Sequence, residues 1–234
     1  MIVAIHQPQY MPWLGYFYKM DQADVFIHLD TVQFKKNEFQ NRNRIKSTNG
    51  WHWLTVPVIY SDSKQLIKDV LINGTVRWQH KHQNSLVTSY GKSEYFQDIM
   101  STIKWAFDFE GSWKNLATLN IEVISCLKDL LGITTKEVNA SDMKADTKQP
   151  DKRIVQLVKE LGGDAYLSGP GGKNYMDLGI YEAEGIEVVF SNFNHPQYDQ
   201  LFEGFQPHMS ILDLLFNHGG NSLEMIRKGG KEEK

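Results

Sequence analysis

The chain opens on Ile2 to His6, a short apolar run ending in a polar residue, the pattern of a parallel strand buried on both faces. The next segment, His6-Gln7-Pro8-Gln9-Tyr10-Met11-Pro12, reads as a loop that its prolines hold extended. Leu14 to Met20 has the pattern of a helix and Ala23 to Leu29 that of a second apolar strand, so the chain begins as a βαβ unit. Glu38 to Ser47 is polar and basic. Trp51 to Val58 alternates as a strand, and Lys68 to Ile72 reads as another. From Val76 to Leu131 the apolar period is helical, in three segments broken near Gly91 and Gly111, with Ser112 as the expected N-cap of the longest.

The second half returns to alternation of strand and helix. Thr134 to Val138 is β-branched and strand-like. Asp151 to Leu161 carries Ile154, Leu157, Val158 and Leu161 on one helical stripe. Gly162-Gly163 ends it, and the strand Ala165 to Ser168 runs into Gly169-Pro170-Gly171-Gly172. Tyr175 to Glu184 is helical, Ile186 to Ser191 is the last strand, and Ile211 to Phe216 adds an apolar helix before a frayed charged end, Lys228 to Lys234. This order predicts an α/β fold, a doubly wound, mostly parallel sheet of Rossmann-like type. It forms a single domain over 1–234, with a helical insertion at about 76–131 that roofs the site. In such sheets ligands bind at the C-terminal ends of the strands.

Composition narrows the function classes. With 23% charged residues and a net charge of −3, the surface does not favour nucleic acid or anionic membrane as partners. No run approaches the roughly 20 apolar residues that span a bilayer. The N-terminus has the character of a buried strand and not of a signal peptide. One cysteine, Cys126, excludes an internal disulfide and a cysteine metal site, which leads us to expect a cytoplasmic protein.

Three stretches carry candidate chemistry. His6 closes the first strand, where a neutral imidazole can donate to phosphate and a protonated one can stabilise developing charge; the alternative is a hydrogen-bonded turn histidine. Asn41-Arg42-Asn43-Arg44 follows Lys35 and Lys36. If extended, it places both guanidinium forks on one side, fit for phosphate or carboxylate, against the alternative of a solvated basic turn. Ser168-Gly169-Pro170-Gly171-Gly172-Lys173 lets backbone N–H groups approach an anion beside a lysine, although it lacks the spacing of a Walker loop, and a tight turn explains it about as well. Asp30 ends the second strand, where it can hold a hydroxyl, a magnesium ion or an amine, or merely cap the chain locally. The histidines at 80, 82, 195, 208 and 218 show no metal-ligand pattern. No Gly-x-Ser-x-Gly elbow appears.

At these residues the sequence resembles the WbqC-like family. The matching stretches are His6 to Tyr16 (HQPQYMPWLGY), Gln40 to Ile45 (QNRNRI), Trp53 to Pro57, Tyr166 to Gly169 and Ser210 to Phe216. The resemblance implies a bacterial protein of surface-polysaccharide (O-antigen) gene clusters, where some members are described as glycine or aminoacyl transferases acting on sugars. The opening, with Ala23 to Asp30 and Gln33-Phe34, is more distantly similar to pantothenate synthetase and the nucleotidylyltransferase class, whose loop reads His-x-Gly-His. Here Gly15-Tyr16 stands where Gly-His would be.

These resemblances imply an ATP- and Mg-dependent aminoacyl or acyl transferase or ligase acting on an amino sugar or sugar nucleotide. His6, Lys173, Arg42 and Arg44 would stabilise phosphate charge, with Asp30 and Gln33 orienting the acceptor. Tyr10, Trp13 and Tyr16 would wall the pocket, with Gln7, Gly15, Asn41, Ser168 and Gly169 as further binding positions. The alternatives are a sugar-nucleotide nucleotidylyltransferase and a non-catalytic sugar-nucleotide-binding accessory protein.

Overall fold

A computed structural model describes residues 1–60, 64–108 and 113–230. In chain order the elements are β1 (Ile2–His6), α1 (Leu14–Asp21), β2 (Val25–His28), β3 (Arg42–Ser47), β4 (Gly50–Thr55), β5 (Val58–Ile59) and β6 (Leu71–Ile72). There follow α2 (Trp78–Tyr90), α3 (Phe96–Ile103), α4 (Leu116–Leu131), β7 (Lys136–Asn139), α5 (Pro150–Glu160), β8 (Ala165–Ser168), α6 (Leu178–Ala183), β9 (Glu187–Phe190), α7 (Ile211–His218) and α8 (Ser222–Lys228).

Five strands form one parallel sheet in the order β7-β2-β1-β8-β9. Counted among themselves these strands run 3-2-1-4-5, the Rossmann order, in which the direction of winding reverses between the first strand and the fourth. That reversal lies between β1 and β8. The alternation of side chains along β1 explains why helices cover both faces. Val3 and Ile5 join Val155, Leu157, Val158 and Tyr181 of α5 and α6 in one core. Ala4 points the other way, into a larger core with Leu14 and Phe17 of α1, Leu119, Val123 and Leu127 of α4, and Leu212 and Phe216 of α7.

The remaining strands pair outside this sheet, β3 with β4 and β5 with β6, both antiparallel. The strand expected over Lys68 to Ile72 is shortened, because Ile67–Asp69 forms a 3-10 turn before β6. Helix α4 starts at Leu116 and is capped by Asn115, whose side chain accepts from the Thr118 N–H at 3.0 Å. The cap expected at Ser112 and the break at Gly111 lie outside the described residues. Helix α8, which the reading of the sequence left within the tail, packs Ile226 into the larger core. No helix among the described residues is long and apolar enough to cross a membrane.

Candidate functional site

A cavity of about 460 Å³ opens where the winding reverses, at the C-terminal ends of β1 and β8. Ile5 and His6 contribute from β1 with Gln7 just after it, and Tyr166 and Ser168 from β8 with Gly169 just after it. The turn after β8 adds Gly171, Gly172, Tyr175 and Met176, and the start of α5 adds Asp151, Arg153 and Ile154. None of the described residues of 76–131 lines it. Their helices pack into the core on the face that α1 covers, while the residues above this cavity come from α5 and the glycine turn.

Local sequence explains the shape of the floor. His6 ends a strand in which Val3, Ala4 and Ile5 are buried, so its ring is delivered to the edge of the sheet. It packs on the Tyr16 ring, with centroids 4.8 Å apart, and its Nδ1–H donates to the Gln7 carbonyl at 3.0 Å. Burial, together with the nearby charge of Lys19, pushes its pKa down to about 3, so the imidazole is neutral at physiological pH. Gln7 accepts from the Gln40 side-chain amide at 2.7 Å. At the end of β8, the turn closes tightly over Ser168. A Cβ on Gly172 would lie 2.3 Å from Ser168 Oγ and 2.7 Å from Met176 Sδ, so a larger residue here would have to displace both side chains. By contrast, nothing lies within 4 Å of a Cβ on Gly169.

The loop between β1 and α1 is fixed from behind. Asn43 donates its amide to the carbonyls of Tyr10 (3.3 Å) and Met11 (2.7 Å), and Asn120 of α4 donates to those of Pro8 (3.3 Å) and Gln40 (2.7 Å). Met11 has a positive φ of 44°, a conformation costly for a non-glycine residue, and the Asn43 amide bonds its carbonyl. The alternating Asn-Arg-Asn-Arg stretch is therefore divided by face. Asn41 and Asn43 turn inward and are buried, Asn41 donating to Val56 O at 3.0 Å, while Arg42 and Arg44 turn outward.

The structure thus brings together His6, Gln7, Ser168 and Gly169, with Tyr16 behind His6. It places the other expected residues elsewhere. Arg42 stacks over Trp53 with its guanidinium 4.0 Å from the ring centre, and Arg44 lies over Trp51 at 5.1 Å and donates to His208 O. Lys173 is exposed and lies over the Phe190 ring at 5.2 Å, outside the cavity lining. Asp30 is buried and accepts from the Ser141 N–H at 2.9 Å. Gln33 is exposed on the loop that bridges to Leu66. Tyr10 is in the core with its hydroxyl 2.9 Å from His82 Nδ1. Trp13 stacks on His195 over Gly15, where a Cβ would fall 2.4 Å from the indole.

Three charged residues of the cavity escaped the reading of the sequence. Lys19 is 5% exposed and donates to Ile5 O at 2.7 Å. Burial alone lowers its pKa to about 7. Its only sequence signal is a lone charge inside the apolar helix Leu14 to Met20. Asp151 accepts from the Tyr181 hydroxyl at 2.9 Å, and Arg153 donates to Thr147 O at 2.9 Å. Both sit in the first turn of an ordinary amphipathic helix and carry no motif. Among the described residues no three His, Cys, Asp or Glu side chains come together as a metal site.

Comparison with known proteins followed the same lines. Residues 7–225 match the model of the WbqC-like protein family. A protein of Mycobacterium tuberculosis (strain ATCC 25618 / H37Rv), described as "Uncharacterized protein Rv1507c", is 35% identical over 228 residues, covering 96% of this chain and 97% of that one. No solved structure matches.

Proposed function

The chain belongs to the WbqC-like protein family, and from that premise we propose that it is a transferase or ligase that uses a nucleotide-type anionic donor to acylate the amine of a sugar or sugar nucleotide. The observation that carries this reading is the cavity at the reversal point of a 3-2-1-4-5 parallel sheet, bordered by His6 and Ser168 at adjacent strand ends. Nucleotides bind at this position in sheets of this order.

The chemistry assigned to each side follows from what is there. The glycine turn, with unhindered space at Gly169, lets a phosphate approach the backbone, and Arg153 adds a cation. His6 keeps Nε2 bare, because Nδ1 holds the proton that bonds Gln7 O. A bound phosphate raises the basicity of that nitrogen, which then accepts the proton the amine loses as its bond to the acyl carbon forms. In balanced form, ATP and a carboxylate give an acyl adenylate and pyrophosphate. The amine then displaces AMP, giving an amide and releasing one proton. Magnesium would arrive on the phosphates of ATP.

A second reading, a binding protein without turnover, draws on Tyr16. This residue stands where the nucleotidylyltransferase loop has its second histidine, and it is buried behind His6. The test is pyrophosphate release from ATP with a mixture of amino acids and an amino sugar such as glucosamine. Release that needs an amino acid, that turns over continuously only when the amino sugar is present, and whose continuous phase is lost in His6→Ala supports the transferase. ATP binding without release supports the binding protein, and absence of both overturns the nucleotide reading.

A further inference from the structure

Lys19 is a charged side chain of this cavity to which the reading above gives no role. The geometry points to Lys19 as an imine-forming lysine, which makes the cavity a site for a small carbonyl compound bearing an anionic group. This inference needs the cavity but not the acyl transfer proposed above.

Four observations carry it. Lys19 projects from α1 to the cavity and is almost wholly buried, yet it forms no ion pair among the described residues. A lysine buried for structural reasons is ordinarily paired with a carboxylate. Its one hydrogen bond among the described residues goes to the Ile5 carbonyl at 2.7 Å, which accepts one N–H and leaves the rest of the amine for a ligand. The Tyr166 ring lies 5.9 Å from Nζ, and the hydroxyl-bearing residues Tyr166, Ser168 and Tyr175 share the same wall. Finally, burial brings the pKa of the amine to about 7, so near neutrality a large share of it is the free base.

A lysine in this state could instead act as a general base, but its surroundings argue against that. A base must pass its proton on after each cycle, and among the described residues the hydrogen-bond partner of Lys19 is a main-chain carbonyl, which takes no proton. An imine needs no such exit. The Nζ lone pair adds to the carbonyl carbon to give a carbinolamine. The C–O bond then breaks with help from a hydroxyl donor on the wall, and the oxygen leaves as water carrying both protons of the amine. The groups that face this reaction are His6 from β1, Tyr166 and Ser168 from β8, Tyr175 from the turn, and Asp151 and Arg153 from α5. Arg153 and the glycine turn supply the attraction for the anionic end.

The experiment uses pyridoxal 5′-phosphate as a phosphate-bearing aldehyde probe, one equivalent at pH 7, followed by borohydride reduction and peptide mapping by mass spectrometry. An ordinary lysine is about 0.04% free base at pH 7, against about half for one with a pKa near 7. The expected result is labelling of Lys19 at least about ten-fold above any exposed lysine. Labelling should fall as pH drops below 7. Lys19→Arg, with its helix content and melting temperature checked, should remove this label and leave the slow surface labelling. Label spread over exposed lysines with Lys19 unmodified in the wild-type protein overturns the inference, even if the variant fails to fold. Pyrophosphate release in the earlier assay is a separate readout, so either proposal can fail alone.

Discussion

The Nδ1 of His6 lies 3.0 Å from the carbonyl oxygen of Gln7. A carbonyl can only accept, so the proton of the neutral ring sits on Nδ1 and Nε2 is bare. The first prediction follows from this tautomer. His6→Ala removes this acceptor and should slow amide formation about 10²-fold or more, the worth of a positioned general base, while ATP affinity changes less than about two-fold because a bare nitrogen makes no hydrogen bond to a phosphate oxygen. Lys173→Ala should change affinity less than about two-fold, because an exposed cation outside the cavity is screened. Calorimetric titration with ATP checks both affinities, and the rate of amide formation checks the first prediction.

The close approach of Gly172 to Ser168 gives a prediction about the fold. In Gly172→Ala the added methyl meets Ser168 Oγ and Met176 Sδ inside ordinary contact distance. Overpacking of this kind costs roughly 1–3 kcal/mol. Urea unfolding should show a lower midpoint with an unchanged slope.

The outward arginines predict a different result from that expected of phosphate ligands. Arg42→Lys keeps the charge but loses the planar stack on Trp53. It should destabilise the β3–β4 hairpin by about 0.5–1 kcal/mol and leave ATP affinity at the cavity unchanged. Hydrogen exchange of the hairpin amides, measured beside the titration, separates the two effects.

Stability should fall on mild acidification. His82 is buried, with Nε2–H donating to Thr55 O at 3.1 Å and Nδ1 accepting from the Tyr10 hydroxyl. Burial pushes its pKa down from 6.5 to about 4, and that of His6 to about 3. For a histidine depressed in the folded state, the unfolded chain binds the extra proton. The contribution to stability is therefore full above pH 6.5 and is lost as pH falls towards the folded values. For His82 alone the loss is on the order of 3 kcal/mol. The melting temperature should drop steadily from pH 7 to pH 4, and His82→Gln should flatten part of that slope.

Much of this architecture is legible in the sequence because buried parallel strands leave continuous apolar runs. Ile2 to His6 and Ala165 to Ser168 could be placed to within a residue, and the polar residue ending each one marked the rim of the cavity. The period of two likewise put Arg42 and Arg44 on one face. Which face turned inward was not legible, because it depends on loop carbonyls at Tyr10 and Met11 that only the folded chain presents to Asn43. The expected roof failed for a related reason. The period of residues 76–131 reveals helices, but the side of the sheet they cover is set by the crossover from β2 to β7. The signal of Lys19, a lone charge in an apolar stretch, was weak because a single lysine in a short helix ordinarily faces water.

The central claim is that an anionic ligand binds between the ends of β1 and β8. Gly169 tests it most directly, because it lines the cavity, has a φ of −68° that any residue can adopt, and has nothing within 4 Å of a Cβ. Gly169→Leu should therefore fold normally and fill the space. In a calorimetric titration of wild type and Gly169→Leu with ATP and a sugar nucleotide, the account predicts saturable binding to the wild type and at least about ten-fold weaker binding to the variant, with both proteins melting within a few degrees of each other. Equal affinity in the two proteins would contradict it.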